Sequence, residues 1–182
     1  MNKKLKLWEL NRCSPEEFST QEKLPVVVVL DDIRSFENVG SVFRTSDAFN
    51  IQEIMLCGIT PVPPHRDIHR TALGATETVS WSYVSNTLDA IRKLKTAGYT
   101  IYALEQAEET IYLQHLKKRL DSRIALVFGN EVNGVNQDVI DQCDGVLEIP
   151  QFGTKHSLNV SVCVGVVLWE CATLLNPVLK AD

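Results

Sequence analysis

Apolar positions along the chain fall into short blocks of two kinds. Residues 24–30 contain Val26-Val27-Val28-Val29, an unbroken β-branched run too short for a helix. Strict alternation would mark a strand with one wet face, whereas a continuous short run marks a strand covered on both faces of a parallel sheet. Runs of the same kind recur at 53–57, 78–81, 100–104, 124–128 and 146–149. Between them, helical spacing marks 39–49, 86–96, 111–116 and 136–143. This alternation predicts an α/β domain, a mostly parallel sheet flanked by helices. The longest helical candidate, 157–175, is apolar almost all round, so it is expected to be buried against the body or a partner chain. Ser157 is placed to cap it and Pro177 to end it. The proline-rich 60–67 and the polar 151–156 read as loops, and 1–23 as a short N-terminal arm before a single domain at 24–182.

Composition narrows the class. Apolar residues make up 45% of the 182 and charged residues 23%, enough material for a core. The formal charge of −5 excludes a protein that grips nucleic acid over its whole surface, but leaves room for a local basic patch. No run approaches the ~20 apolar residues of a membrane span. The basic start lacks the apolar stretch of a signal peptide. Five widely spaced cysteines without C-x-x-C fit reduced thiols, mostly buried, in a cytoplasmic protein.

In an open α/β sheet, ligands bind beyond the carboxyl ends of the strands. Three polar clusters fall there. Asp31, Asp32, Arg34, Glu37, Asn38 and Gly40 follow the first strand, with Arg44 further along the next helix. Gly129-Asn130-Glu131-Val132-Asn133-Gly134 follows the strand at 124–128, and Pro150 leads from 146–149 to Ser157-Leu158-Asn159. In isolation Asn38 reads as a helix cap, Arg44 as a solvated helix residue, and Gly129 and Gly134 as turn glycines. Asn159 stands out, an amide in the first turn of a nearly all-apolar helix, because a buried amide needs partners. Arg34, Arg44, His65, Arg66, His69 and Arg70 gather in or near the loops after the first two strands and point to a phosphate-bearing substrate, with Arg34, His65, Arg66 and Arg70 the expected substrate-binding residues. His65 and His69 have ligand spacing but lack the glutamate of H-E-x-x-H, so no metal is expected. Neither a dinucleotide fingerprint nor a phosphate loop occurs.

The same clusters carry a resemblance. Asn38-Val39-Gly40-Ser41-Val42-Phe43-Arg44-Thr45, Phe128-Gly129-Asn130-Glu131-Val132-Asn133-Gly134, and Ile149-Pro150 followed by Ser157-Leu158-Asn159-Val160-Ser161-Val162 resemble the three motifs of the SpoU (TrmH-like) RNA 2′-O-ribose methyltransferases of the SPOUT superfamily. The order and spacing match over nearly the whole chain. The resemblance implies a C-terminal trefoil knot, a homodimer, and S-adenosyl-L-methionine as methyl donor. It assigns catalytic and structural roles to Arg44, Asn38, Glu131, Ser157 and Asn159. Leu104, Gly129, Asn130, Gly134, Ile149 and Leu158 are the expected cofactor contacts. Guanidinium stays protonated, so Arg44 is expected to bind phosphate and stabilise an alkoxide. The larger members carry a separate N-terminal RNA-binding domain, which the short arm does not supply. The acidic net charge suits a shape-selective grip, with tRNA expected before ribosomal RNA. The rival readings are a base-methylating enzyme of the superfamily and a non-catalytic RNA-binding protein.

Overall fold

The computed structural model describes residues 2–10, 12–118, 123–176 and 179. Seven strands form one sheet in the order β3-β2-β1-β6-β4-β7-β5, and every pair is parallel. They are β1 (Leu24–Asp31), β2 (Ile51–Cys57), β3 (Trp81–Val84), β4 (Thr100–Leu104), β5 (Ile111–Tyr112), β6 (Ile124–Phe128) and β7 (Gly145–Glu148). The central strand β1 is buried on both sides, as its valine run predicts. Val26, Val28 and Leu30 pack with α2 (Phe36–Ala48) and α7 (Val160–Leu175), and Val27 and Val29 pack with α5 (Thr87–Thr96) on the opposite face.

Several boundaries differ from the sequence reading. Residues 75–78 form a short helix, α4 (Ala75–Thr78), and the strand starts only at Trp81. That strand lies at the sheet edge, where Trp81 and Tyr83 are exposed, so it lacks the continuous apolar signal of the inner strands. The helix expected at 111–116 is the edge strand β5 followed by a 3-10 turn, Leu113–Lys118. Buried Leu113 and Leu116 are three apart, a spacing that suits either kind of turn. At 136–143 only α6 (Gln137–Ile140) is helical, capped by Asn136. The proline-rich loop ends sooner than expected, because His65 caps α3 (Arg66–Ala72) through Nδ1, which accepts the Asp67 N–H at 3.2 Å. The N-terminal arm contains α1 (Pro15–Thr20), opened by a reciprocal Ser14–Glu17 capping box and anchored by buried Phe18.

The last helix starts at Val160, three residues later than Ser157. Asn159 is its cap, with Oδ1 accepting the N–H groups of Ser161 at 2.9 Å and Val162 at 3.4 Å. Ser157 therefore caps nothing here. Pro177 lies outside the described residues; the helix ends at Leu175 with Asn176 as cap. Val164, Val167 and Leu168 are fully buried in their own chain, so the body covers this face of the helix. Val162, Val166 and Trp169 form the exposed apolar stripe instead. Cys57 and Cys171 are buried, Cys143 and Cys163 half-buried and Cys13 exposed, all five as free thiols.

Candidate active site

The carboxyl ends of β4, β6 and β7 and the approach to α7 enclose a cavity of about 710 Å³. That lies within the ~300–1,000 Å³ of small-molecule sites. Leu104, Gly129, Asn130, Gly134, Ile149 and Leu158 all line it, as do Glu131, Ser157 and Asn159. Three segments far apart in sequence thus meet at one sheet edge.

The loop after β6 is shaped by its own backbone. Asn130 and Gly134 exchange N–H···O bonds of 3.0 and 2.9 Å, closing a tight turn. Gly134 takes φ +67°, a conformation that favours glycine. Gly129 serves close approach instead: a Cβ there would meet the Gly134 carbon and the Val135 nitrogen at 2.1 Å. Asn130 ties the turn to the first cluster, donating from Nδ2 to the Asp32 carbonyl at 2.7 Å while Oδ1 accepts from Val132 and Asn133.

Glu131 joins the loop to the start of α2. Its Oε2 accepts the Arg34 N–H at 2.9 Å, and Oε1 accepts from the Ser35 N–H at 3.1 Å and Asn38 Nδ2 at 2.9 Å. Partial burial pushes its pKa up, but these donors and its own N–H outweigh that and hold the carboxyl below the ordinary glutamate value. Asn38 completes the chain, its Oδ1 accepting from Asn159 Nδ2 at 3.1 Å. Glu131, Asn38 and Asn159 are therefore one hydrogen-bonded unit spanning three elements. Asn38 does not cap α2; Ser35 does, through its hydroxyl.

Other expected residues stand apart. Arg44 is exposed on α2, six residues from Asn38, about 9 Å along the axis. It is outside the cavity lining, and its side chain makes no ion pair or hydrogen bond among the described residues. Arg34 is also exposed. Arg70 pairs with Glu37 at 2.9 Å, Arg66 lies 3.7 Å from Asp67, and His65 stacks on Phe36 at 4.0 Å between ring centres. These side chains share a surface because α3 packs tightly on α2: a Cβ on Gly40 would meet Thr71 Oγ1 at 2.0 Å and the Ile68 carbonyl oxygen at 2.4 Å.

Sequence reasoning missed Glu105 and Gln106. Glu105 supports the β6 loop from beneath, its Oε2 accepting the Val135 N–H at 3.1 Å, and Gln106 Nε2 donates to the His156 carbonyl at 3.0 Å. Both follow the end of β4, so the strand-end rule that found the other clusters would have found them. Buried Asp31 accepts from the Thr87 hydroxyl and from the Asn136 N–H at 3.3 Å; desolvation raises its pKa against those bonds.

The fold and cavity define an α/β protein with a small-molecule site at the strand ends of an all-parallel sheet. The chain belongs to the SpoU rRNA Methylase family, whose pattern matches residues 25–169. It is 34% identical over 158 residues, 87% of the chain, to a 23S rRNA (guanosine-2′-O-)-methyltransferase of Neisseria meningitidis, and it covers 61% of that relative's length. An AdoMet-bound rRNA methyltransferase structure from Sinorhizobium meliloti superposes with a TM-score of 0.74 at 28% identity, over 88% of this chain and 60% of that one. The A. aeolicus TrmH/SpoU tRNA modifying enzyme shares the fold at TM-score 0.76 and 24% identity, over 88% and 79%.

Proposed function

We propose that the protein is an S-adenosyl-L-methionine-dependent RNA 2′-O-ribose methyltransferase. The observation that carries this is the Glu131–Asn38–Asn159 unit, which fastens the cavity loops to the helix bearing Arg44. The cavity suits the cofactor in size, and its lining has Glu105, Glu131 and Glu148 but no Lys or Arg, which favours a cationic ligand. The proposed contacts are Leu104, Gly129, Asn130, Gly134, Ile149 and Leu158, with Gly129 and Gly134 leaving room at the backbone. The bound cofactor supplies an electrophilic methyl group.

The chain's own residues then position the ribose. Asn38 and Asn159 present amides to the hydroxyl, and orientation of this kind is worth roughly 7–11 kcal/mol of barrier. Arg44 holds the adjoining phosphate and stabilises the alkoxide as it forms, the proton leaving to phosphate or water. Ser157, exposed at the cavity rim, is a further hydroxyl for the substrate. Arg34, His65, Arg66 and Arg70 form the RNA approach.

We further propose a homodimer and the C-terminal knot. The exposed Val162, Val166 and Trp169 stripe flanks α2: Trp169 packs near Phe49 at 6.1 Å, and a Cβ on Gly165 would stand 4.0 Å from Thr45 Cγ2. Arg44 is next to Thr45 and outside its own chain's cavity, so a second protomer on this face would bring a guanidinium toward a site. Among RNAs, tRNA is the first substrate proposed, on the acidic net charge; the name of the Neisseria relative favours ribosomal RNA as the second. Mapping ribose methylation across tRNA and rRNA in cells with and without the protein tests both. Loss of one mark in the deletion is expected, and unchanged maps would refute the function.

A further inference from the structure

Beside the cavity, the segment 151–156 carries features the proposed chemistry leaves unused. Phe152 is 97% exposed, the most exposed large apolar side chain among the described residues. Such a ring gains by burial against a partner, because its apolar surface leaves water. Its neighbour Gln151 lines the cavity, and so does His156 at the far end of the segment. Lys155 is exposed and has no ion pair among the described residues. Gly153 has open space where a side chain would stand. One hydrogen bond, from Gln106 Nε2 to the His156 carbonyl, pins the end of the segment to the strand end after β4. Among the cavity-lining residues, Val132 is 73% and Leu158 39% exposed, so apolar side chains stand among the polar ones at its mouth.

We infer that residues 151–156 form a nucleotide clamp, in which Phe152 stacks on the base of the substrate nucleotide and Lys155 meets an adjoining phosphate. This rests on the RNA-methyltransferase reading and names a positioning contact for it. A base attached to a ribose held at the cavity needs a flat apolar surface at the rim, and a phosphate one bond further along needs a cation. An exposed aromatic three residues from an unpaired lysine meets both needs. Aromatic stacking accepts any base, so the clamp places the nucleotide without choosing its identity. Local charge favours nucleic acid as the occupant, because the exposed, unpaired Lys155 beside Phe152 complements a phosphate.

The test uses the full chain and the variants Phe152→Ala, Phe152→Trp and Lys155→Gln. Calorimetry gives S-adenosyl-L-methionine affinity, and tritiated methyl incorporation into bulk RNA from cells lacking the protein gives kcat and KM. Phe152→Ala is expected to leave cofactor affinity within twofold while lowering kcat/KM for RNA roughly five- to hundredfold, the range set by loss of one stacked base. Phe152→Trp should restore it, and Lys155→Gln should lower it with a weaker salt dependence. In parallel, emission of Phe152→Trp beyond that of the unsubstituted chain is followed during titration with a mixed-sequence single-stranded oligoribonucleotide and an abasic oligomer of equal length. Quenching by the first alone is expected. Equal quenching by both, or none, overturns the clamp even if the unsubstituted enzyme proves inactive on RNA. Normal RNA kinetics for Phe152→Ala, or a change only in its sedimentation, overturns it while leaving the methyltransferase reading intact. An unsubstituted chain that binds no cofactor and labels no RNA refutes that reading, and the quenching experiment still decides the clamp.

Discussion

Glu131 shows how much one side chain can organise. It accepts hydrogen bonds from Arg34, Ser35 and Asn38, so Glu131→Ala strands three donors at the rim of the cavity. Because the carboxylate is partly exposed, solvent replaces some of these bonds, and the expected loss of stability is about 1 kcal/mol. Cofactor affinity, measured by calorimetry, should fall with it. The pH dependence has a definite sign. The folded-state pKa lies below the ordinary value, so Glu131 contributes stability above its unfolded pKa and loses it as pH falls through the folded one. Cofactor affinity should therefore hold at neutral pH and weaken below the ordinary glutamate range near 4.5, and Glu131→Gln should flatten that acid limb. Asp31 has the opposite sign, since burial raises its pKa and ionisation is what costs stability there. For Arg44→Ala, cofactor affinity should be nearly intact while single-turnover methyl transfer drops roughly a hundredfold or more. Arg44→Lys should rescue poorly, because an ammonium lacks the planar two-pronged grip. Near-normal turnover would make Arg44 an ordinary solvated helix residue. Asn38, Glu131 and Asn159 were legible from the sequence because the strand-end rule places them together. Their bonds were not, since which amide faces which carboxylate depends on how α2 and α7 pack.

At the scale of elements, α7 has two faces with different predicted fates. Leu168 is fully buried, so Leu168→Ala should cost ~2–5 kcal/mol and lower the melting temperature. Trp169→Asp on the exposed stripe should leave the protomer folded by circular dichroism but shift sedimentation from dimer to monomer. A folded dimer from Trp169→Asp would move the interface elsewhere. The sequence showed that this helix was apolar almost all round, and for that reason could not show which residues turn inward. The β6–α6 loop gives the sharper test of local geometry. Gly129→Ala forces a Cβ to within 2.1 Å of two backbone atoms, so it should destabilise the fold more than substitution of any polar loop neighbour. Edge elements were the least legible, because β3 and β5 have only one sheet neighbour and carry mixed patterns in place of a buried run.

For the whole molecule, the central sheet was the most legible feature. Val26 to Val29 face opposite cores on alternate positions, and only a strand covered on both sides uses four valines in succession. Strand order was not legible, since β6 lies between β1 and β4 through pairings distant in sequence. No group of three or more metal-ligand side chains occurs among the described residues, so cofactor binding should survive treatment with a chelator. Loss restored by a divalent ion would contradict this. The central claim, that the protein methylates a ribose hydroxyl of RNA, has one direct measurement. RNA from cells lacking the protein is labelled with tritiated S-adenosyl-L-methionine and the purified enzyme, then hydrolysed in alkali. Alkaline cleavage needs a free 2′-hydroxyl, so a methylated ribose leaves its label in an alkali-resistant dinucleotide. That product is predicted, together with its loss in Asn38→Ala; label recovered in mononucleotides, or no label at all, would contradict the account.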